Sequence, residues 1–167
     1  DEALGQVSEN YPSLYVDSFS HSGSSDTNPV YVDVDVDSDW AGCATTRKST
    51  SGGVLKVWGC VIHHYSRTQQ SVATRSGEAE LYALGSGGSE GLALINLLQE
   101  LRRFKHVKLT VRTDSTAAKS IAIRFGPGKQ SKHIQLRFLY TQDLVRSGLL
   151  VIKKVDGKEN CSDILTK

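Results

Sequence analysis

Between Val30 and Asp39 the chain alternates strictly, with Val30, Val32, Val34 and Val36 interleaved with Tyr31, Asp33, Asp35, Asp37 and Asp39. A period of two belongs to a β-strand whose successive side chains point to opposite faces. One face is apolar and the other is a ladder of carboxylates. Carboxylates spaced about 6–7 Å along one face repel each other, so water or a bound cation must take up the charge. Hard divalent ions such as Mg²⁺ prefer these oxygens. An exposed edge strand blunted by charge carries the same pattern, so the strand alone leaves both readings open. A calcium loop fits poorly: frames starting at Asp33, Asp35 or Asp37 put Ala44, Thr46 or Lys48 at the twelfth position, where the loop needs Glu.

At 167 residues the expectation is one domain with a proper core. The net charge of +2 hides a division: residues 1–39 hold nine acids and no Lys or Arg, and the rest holds all 20 bases with nine acids. Such a chain can hold a cation at its acidic locus and a polyanion elsewhere, which points to nucleic acid. Cys43, Cys60 and Cys161 form no C-x-x-C pair, so neither a zinc site nor a disulfide framework is expected, and reduced thiols suggest an intracellular compartment. No apolar run has membrane-spanning length, and the first residues, DEALGQVSEN, lack the features of a secretory signal. A soluble domain without a membrane partner is the expectation.

Residues 1–29 are polar and read as a connection from an upstream module, with a short apolar element at 15–19. Residues 30–167 form the domain. After the Asp strand, GCATTRKSTSGG is turn-rich, and residues 54–58 and 60–65 read as strands around a tight turn at Gly59. Residues 76–103 carry a helical stripe of Leu81, Leu84, Leu92, Ile95, Leu98 and Leu101. Gly85, Gly87, Gly88 and Gly91 either break that helix or let it lie close on a sheet. A fourth strand at 107–113 precedes helices at 115–124 and 132–146, a fifth strand at 149–155 and a last helix from 160 to 167. The order is β-β-β-α-β-α-α-β-α, an α/β fold whose mixed five-stranded sheet has helices on both faces.

Three further acids stand at telling places: Glu80 near the start of the first helix, Asp114 after the fourth strand, and Asp163 in the last helix. Each has a bland reading, since helix N-termini favour acids and Asp114 can cap the helix after it. Taken with Asp37, four acids from four segments can converge where sites collect in open α/β sheets, at the carboxyl ends of strands. Such a cluster can hold two Mg²⁺ for phosphodiester hydrolysis.

DSDWAG, RKSTSGG, SGEAELYAL, TDSTAA, SKHI and the closing SDILTK, in that order and spacing, resemble the ribonuclease H domain of copia-type retrotransposon Pol polyproteins over residues 30–167. The resemblance implies the three-layer ribonuclease H-like fold and cleavage of the RNA strand of RNA/DNA hybrids during reverse transcription. It implies two Mg²⁺, with Mn²⁺ as a substitute, held by Asp37, Glu80, Asp114 and Asp163. Glu78 is the rival to Glu80 but points to a different helix face. An upstream reverse transcriptase would be a partner, in a cytoplasmic retrotransposon particle or the nucleus. Arg47, Lys48, Ser49, Ser115, Arg124, Lys129, Lys132 and His133 are the candidate nucleic-acid contacts, with His133 equally readable as structural. Trp40 and Trp58 read as core residues rather than stacking platforms.

Asp35 departs from the family pattern, which has an apolar or aromatic residue there, and if buried it must be protonated, paired or hydrated. Gln135 and Leu139 replace an acid and a second His, and residues 156–160 contain no His. Asp35 and the glycine-rich helix keep open an alternative: a catalytically impaired, nucleic-acid-binding remnant.

Overall fold

The alternating segment is the middle strand of the sheet. The computed structural model describes residues 29–101, 106–124 and 135–167, with backbone alone for 135–138. The expected connection before residue 29 lies outside these. Strands β1 (Val30–Ser38), β2 (Thr50–Val57) and β3 (Cys60–Thr68) form an antiparallel meander, followed by α1 (Ser76–Glu100), β4 (Val107–Thr113), α2 (Thr116–Ile123), α3 (Gln135–Arg146), β5 (Leu150–Lys154) and a 3₁₀ turn, Asp163–Leu165. The sheet order is β3-β2-β1-β4-β5. β4 runs parallel to β1, and β5 parallel to β4. The neighbours β1 and β4 therefore end at the same edge of the sheet.

Val32, Val34 and Val36 are fully buried and join Leu55, Leu84, Leu109, Val111 and Leu150 in the core. The helices α1, α2 and α3 pack against one another. They cover this apolar face, supplying Leu84, Ala118, Ala122 and Leu144 to the core. The 3₁₀ turn packs on β1 and β2 from the Asp37 side. No helix among the described residues is long and apolar enough to cross a membrane.

Several boundaries differ from the sequence reading. β2 starts at Thr50 rather than 54, taking in Gly52 and Gly53, which weak strand propensity had hidden. A Cβ on Gly53 would lie 2.4 Å from the Tyr65 ring, and one on Gly52 would lie 2.9 Å from Thr166 Cγ2. These glycines admit neighbours that a larger residue would exclude. The β2–β3 turn uses Trp58 and Gly59, both at positive φ, the signature of a tight two-residue hairpin. Trp58 packs against the core, as expected, but Trp40 does not and is 55% exposed. The expected last helix is only the 3₁₀ turn. The start expected for α3 at 132 lies outside the described residues.

α1 is unbroken through its glycines. A Cβ on Gly87 would sit 2.3 Å from Val36 Cγ1, and one on Gly91 2.5 Å from Leu109 Cδ1, so both let the helix lie directly on β1 and β4. Asp35 has no exposed surface and is paired. Arg112, its register partner on β4, donates from Nε and Nη2 at 2.6 and 3.0 Å, and Lys56 on β2 donates at 2.8 Å. Burial pulls the Lys56 pKa down, and its hydrogen bonds to Asp35 and Cys161, with their charges, together more than offset it.

Three outcomes follow for urea denaturation. Gly87→Ala and Gly91→Ala should each destabilise by about 1–3 kcal/mol through overpacking. Gly88→Ala meets nothing nearer than 3.6 Å and should stabilise by up to about 1 kcal/mol through helix propensity. Arg112→Met, which strips one cation from a fully buried carboxylate, should cost about 3 kcal/mol.

Candidate active site

The parallel pair β1 and β4 separates at its carboxyl end. Their pairing stops at Asp35 and Arg112, and beyond it the Val36 carbonyl accepts a hydrogen bond from Asn160 Nδ2 at 3.0 Å. Asp37 lies next on β1, and Asp114 follows the last residue of β4. α1 crosses the sheet so that Glu80, in its second turn, faces the same point. One carboxylate oxygen from each of Asp37, Glu80 and Asp114 lies within 4.8 Å of the other two.

Asp114 does not cap α2: Ser115 is the N-cap, its hydroxyl accepting from the Ala118 amide at 3.1 Å. Glu78 is occupied at the start of α1, accepting from the Thr74 amide at 2.8 Å, its hydroxyl at 2.7 Å and the Tyr82 hydroxyl at 3.0 Å. That local capping role leaves Glu80 as the inward acid.

Burial first, and then the carboxylates of Asp37 and Asp114, push the Glu80 pKa up to about 8. The Ser38 hydroxyl lies close but outside hydrogen-bond geometry, and Glu80 Oε2 is buried without a hydrogen-bond partner. Burial and Asp37 likewise raise Asp114. Three hard oxygen donors, of which Glu80 is orphaned and both it and Asp114 are held above their ordinary pKa, suit a divalent cation.

Asp163 does not join this group. It pairs with Lys167, although it is near enough to raise Asp114 further. Its segment is tied down around it. Ser162 donates from its amide and hydroxyl to Asn160 Oδ1 at 3.3 and 2.7 Å, and the Thr166 hydroxyl donates to Asp37. The sequence reading missed Asn160 and Thr166; Gly52, whose missing Cβ admits Thr166, bears on the second once its place in β2 is known.

Among the candidate nucleic-acid contacts, Arg47 and Arg124 are exposed and Lys48 is half-buried. Ser49 is a correction: it is fully buried, and its hydroxyl accepts from the Ala41 amide at 2.9 Å, so it braces the β1–β2 loop from within. The Ser115 hydroxyl is engaged as a cap. Lys129, Lys132 and His133 lie outside the described residues. Cys43, Cys60 and Cys161 are free and exposed.

No family model matches the chain. It is 32% identical over 131 residues to the retrovirus-related Pol polyprotein from transposon TNT 1-94 of Nicotiana tabacum, an alignment covering 78% of this chain and 10% of that one. With the Pol polyprotein from transposon RE2 of Arabidopsis thaliana it shares 28% over 131 residues, covering 78% and 9%. The chain thus spans about a tenth of the length of the curated relatives it matches. Its fold is similar to the N-terminal ribonuclease H domain of Rv2228c from Mycobacterium tuberculosis, with a TM-score of 0.57 at 17% identity over 82% of this chain and 91% of that one. LC11-RNase H1 in complex with an RNA/DNA hybrid gives 0.53 at 16% identity, over 81% and 92%. The foamy viral protease-reverse transcriptase with an RNA/DNA hybrid gives 0.51 at 14%, over 89% and 22%. By sequence and by fold, the chain belongs to the ribonuclease H-fold domains of copia-type, retrovirus-related Pol polyproteins.

Proposed function

We propose that this domain is a divalent-metal-dependent endonuclease that hydrolyses the RNA strand of RNA/DNA hybrids, working beside a reverse transcriptase module of the same polyprotein. The observation that carries the reading is the convergence of Asp37, Glu80 and Asp114 at the carboxyl ends of β1 and β4. Two structural neighbours of the same fold are described with an RNA/DNA hybrid, one of them a viral protease-reverse transcriptase.

Asp37, Glu80 and Asp114 would hold the cation, with Asp163 at the margin. When bound, a pair of Mg²⁺ ions supplies an activated water and neutralises the leaving oxygen of the phosphodiester. Glu80 must give up its proton to act as a ligand, which makes cation affinity rise with pH. The β1–β2 loop offers Arg47 and Lys48 to the phosphate backbone, where contacts position the hybrid without reading its sequence.

The impaired-remnant reading retains one observation in its favour, the position of Asp163 outside the cluster and its pairing with Lys167. It predicts salt-dependent hybrid binding without Mg²⁺-dependent turnover. The two features that first suggested it have structural accounts, since Asp35 is paired and α1 is continuous.

Without metal, stability should fall as pH rises. Between the ordinary value of 4.5 and about 8, Glu80 keeps its proton when folded and loses it when unfolded, so the unfolded chain binds fewer protons and gains with pH. Mg²⁺ should restore the loss, seen as a melting temperature that climbs with Mg²⁺ concentration at pH 8. A melting temperature that rises with pH in chelator would contradict this account. With Mg²⁺ present, an end-labelled hybrid should be nicked in its RNA strand. Asp114→Asn should lower the rate more than about 100-fold, beyond the 10–100-fold typical of groups behind a ligand. Undiminished cleavage by that variant would remove the assigned chemistry.

A further inference from the structure

Trp40 carries a large ring into solvent three residues after Asp37, in a fold with room for indole elsewhere: Trp58 packs against the core. Its exposure is not slack. The indole Nε1–H donates to the Ala73 carbonyl at 3.2 Å, and Ala73 is itself buried. The next residue, Ala41, sits at φ 54°, a conformation that costs a non-glycine residue free energy, and the buried Ser49 hydroxyl clamps its amide. On the preceding side, the Asp39 amide donates to the Thr50 carbonyl at 3.2 Å, and the Thr50 amide donates to the Asp39 carboxylate. The loop closes on itself through Cys43 to Lys48 and Arg47 to Cys43 backbone bonds at 3.2 and 2.8 Å. A rigid frame with a strained residue thus holds an apolar ring outward, against the hydrophobic effect.

Three residues of chain reach at most about 11 Å between Cα atoms, so the backbone that carries the ring stands within roughly three base-pair steps of Asp37. Exposed Arg47 follows in the same loop, and Val72, beside Ala73, is 50% exposed. An apolar ring that follows Asp37 in the chain and precedes Arg47 and Lys48 in the same loop suits the sugar edge of a duplex better than its phosphates. The wide minor groove of an A-like duplex is shallow enough for an aromatic to lie against riboses and base edges.

We propose that Trp40 is a substrate-positioning platform, its indole face packing against the minor-groove edge of the RNA/DNA hybrid beside the scissile phosphate. This rests on the nuclease reading above. It assigns Trp40 to binding and register, with the acids retaining the chemistry.

The test uses the full chain with Trp58→Phe, so that Trp40 is the sole tryptophan and is excited at the red edge of the indole band, where tyrosine does not absorb; it is titrated with hybrid in chelator at low salt, while anisotropy of a labelled hybrid reports binding in a parallel titration. Trp40 emission should quench or shift in step with anisotropy. In Mg²⁺, Trp40→Ala should raise KM about tenfold while kcat changes less than about twofold, and Trp40→Phe should recover most of the loss. Hybrid bound and nicked with Trp40 emission unmoved and KM unchanged in Trp40→Ala would overturn the platform and leave the nuclease reading intact. A chain that neither binds nor nicks hybrid would sink both. The fluorescence arm substitutes nothing at position 40, so it decides the matter even if Trp40→Ala fails to fold.

Discussion

Repulsion among carboxylates along one strand face is the constraint around which this domain is arranged. β1 places Asp33, Asp35 and Asp37 on the same side, all of them buried, and a low-dielectric setting makes their mutual repulsion costly. The fold resolves it differently at each position. At Asp35 the neighbouring strands supply Lys56 and Arg112, so the charge is neutralised by the protein itself. At Asp37 the end of β4 and the start of α1 bring two more acids instead, and Glu80 answers by holding its proton up to about pH 8. One strand thus contains a closed ion-pair network and, two residues later, a group of acids whose charge calls for a cation.

That difference is enforced by close packing. Small residues let the covering elements approach: Gly87 and Gly91 bring α1 onto β1 and β4 with Glu80 near its leading end, while Gly52 admits the segment after β5 to the opposite side of the sheet. Asn160 then fastens that segment to the Val36 carbonyl where β1 and β4 part company. The acids meet because backbones are near enough for short side chains to span the gap, and Gly is the residue that permits such distances.

Much of this was legible in the chain itself. The alternation from Val30 to Asp37 announced a strand with one apolar and one acidic face, the helical stripe after Ser76 announced α1, and the spacing of DSDWAG, AELYAL and TDS pointed to the three acids that meet. Other features resisted. Gly52 and Gly53 looked like a turn because their strand role depends on Tyr65 and Thr166, far away in sequence. Ser49 looked like a surface contact in a polar, basic stretch, yet it is buried because its hydroxyl serves the Ala41 amide. Trp40 looked like core by residue type, and only its bond to Ala73 shows why it can stand outside.

The sequence by itself determined the strand and helix periods, the split between an acidic beginning and a basic remainder, and the identity of the acids, because these are local patterns set by side-chain chemistry and backbone geometry. Tertiary structure alone decided which carboxylates would be neutralised and which left to cluster, because charge compensation depends on groups tens of residues apart in the chain. Asp35 and Asp37 are chemically identical and two residues apart. What separates their fates is that Lys56 and Arg112 reach the first, while Glu80 and Asp114 reach the second.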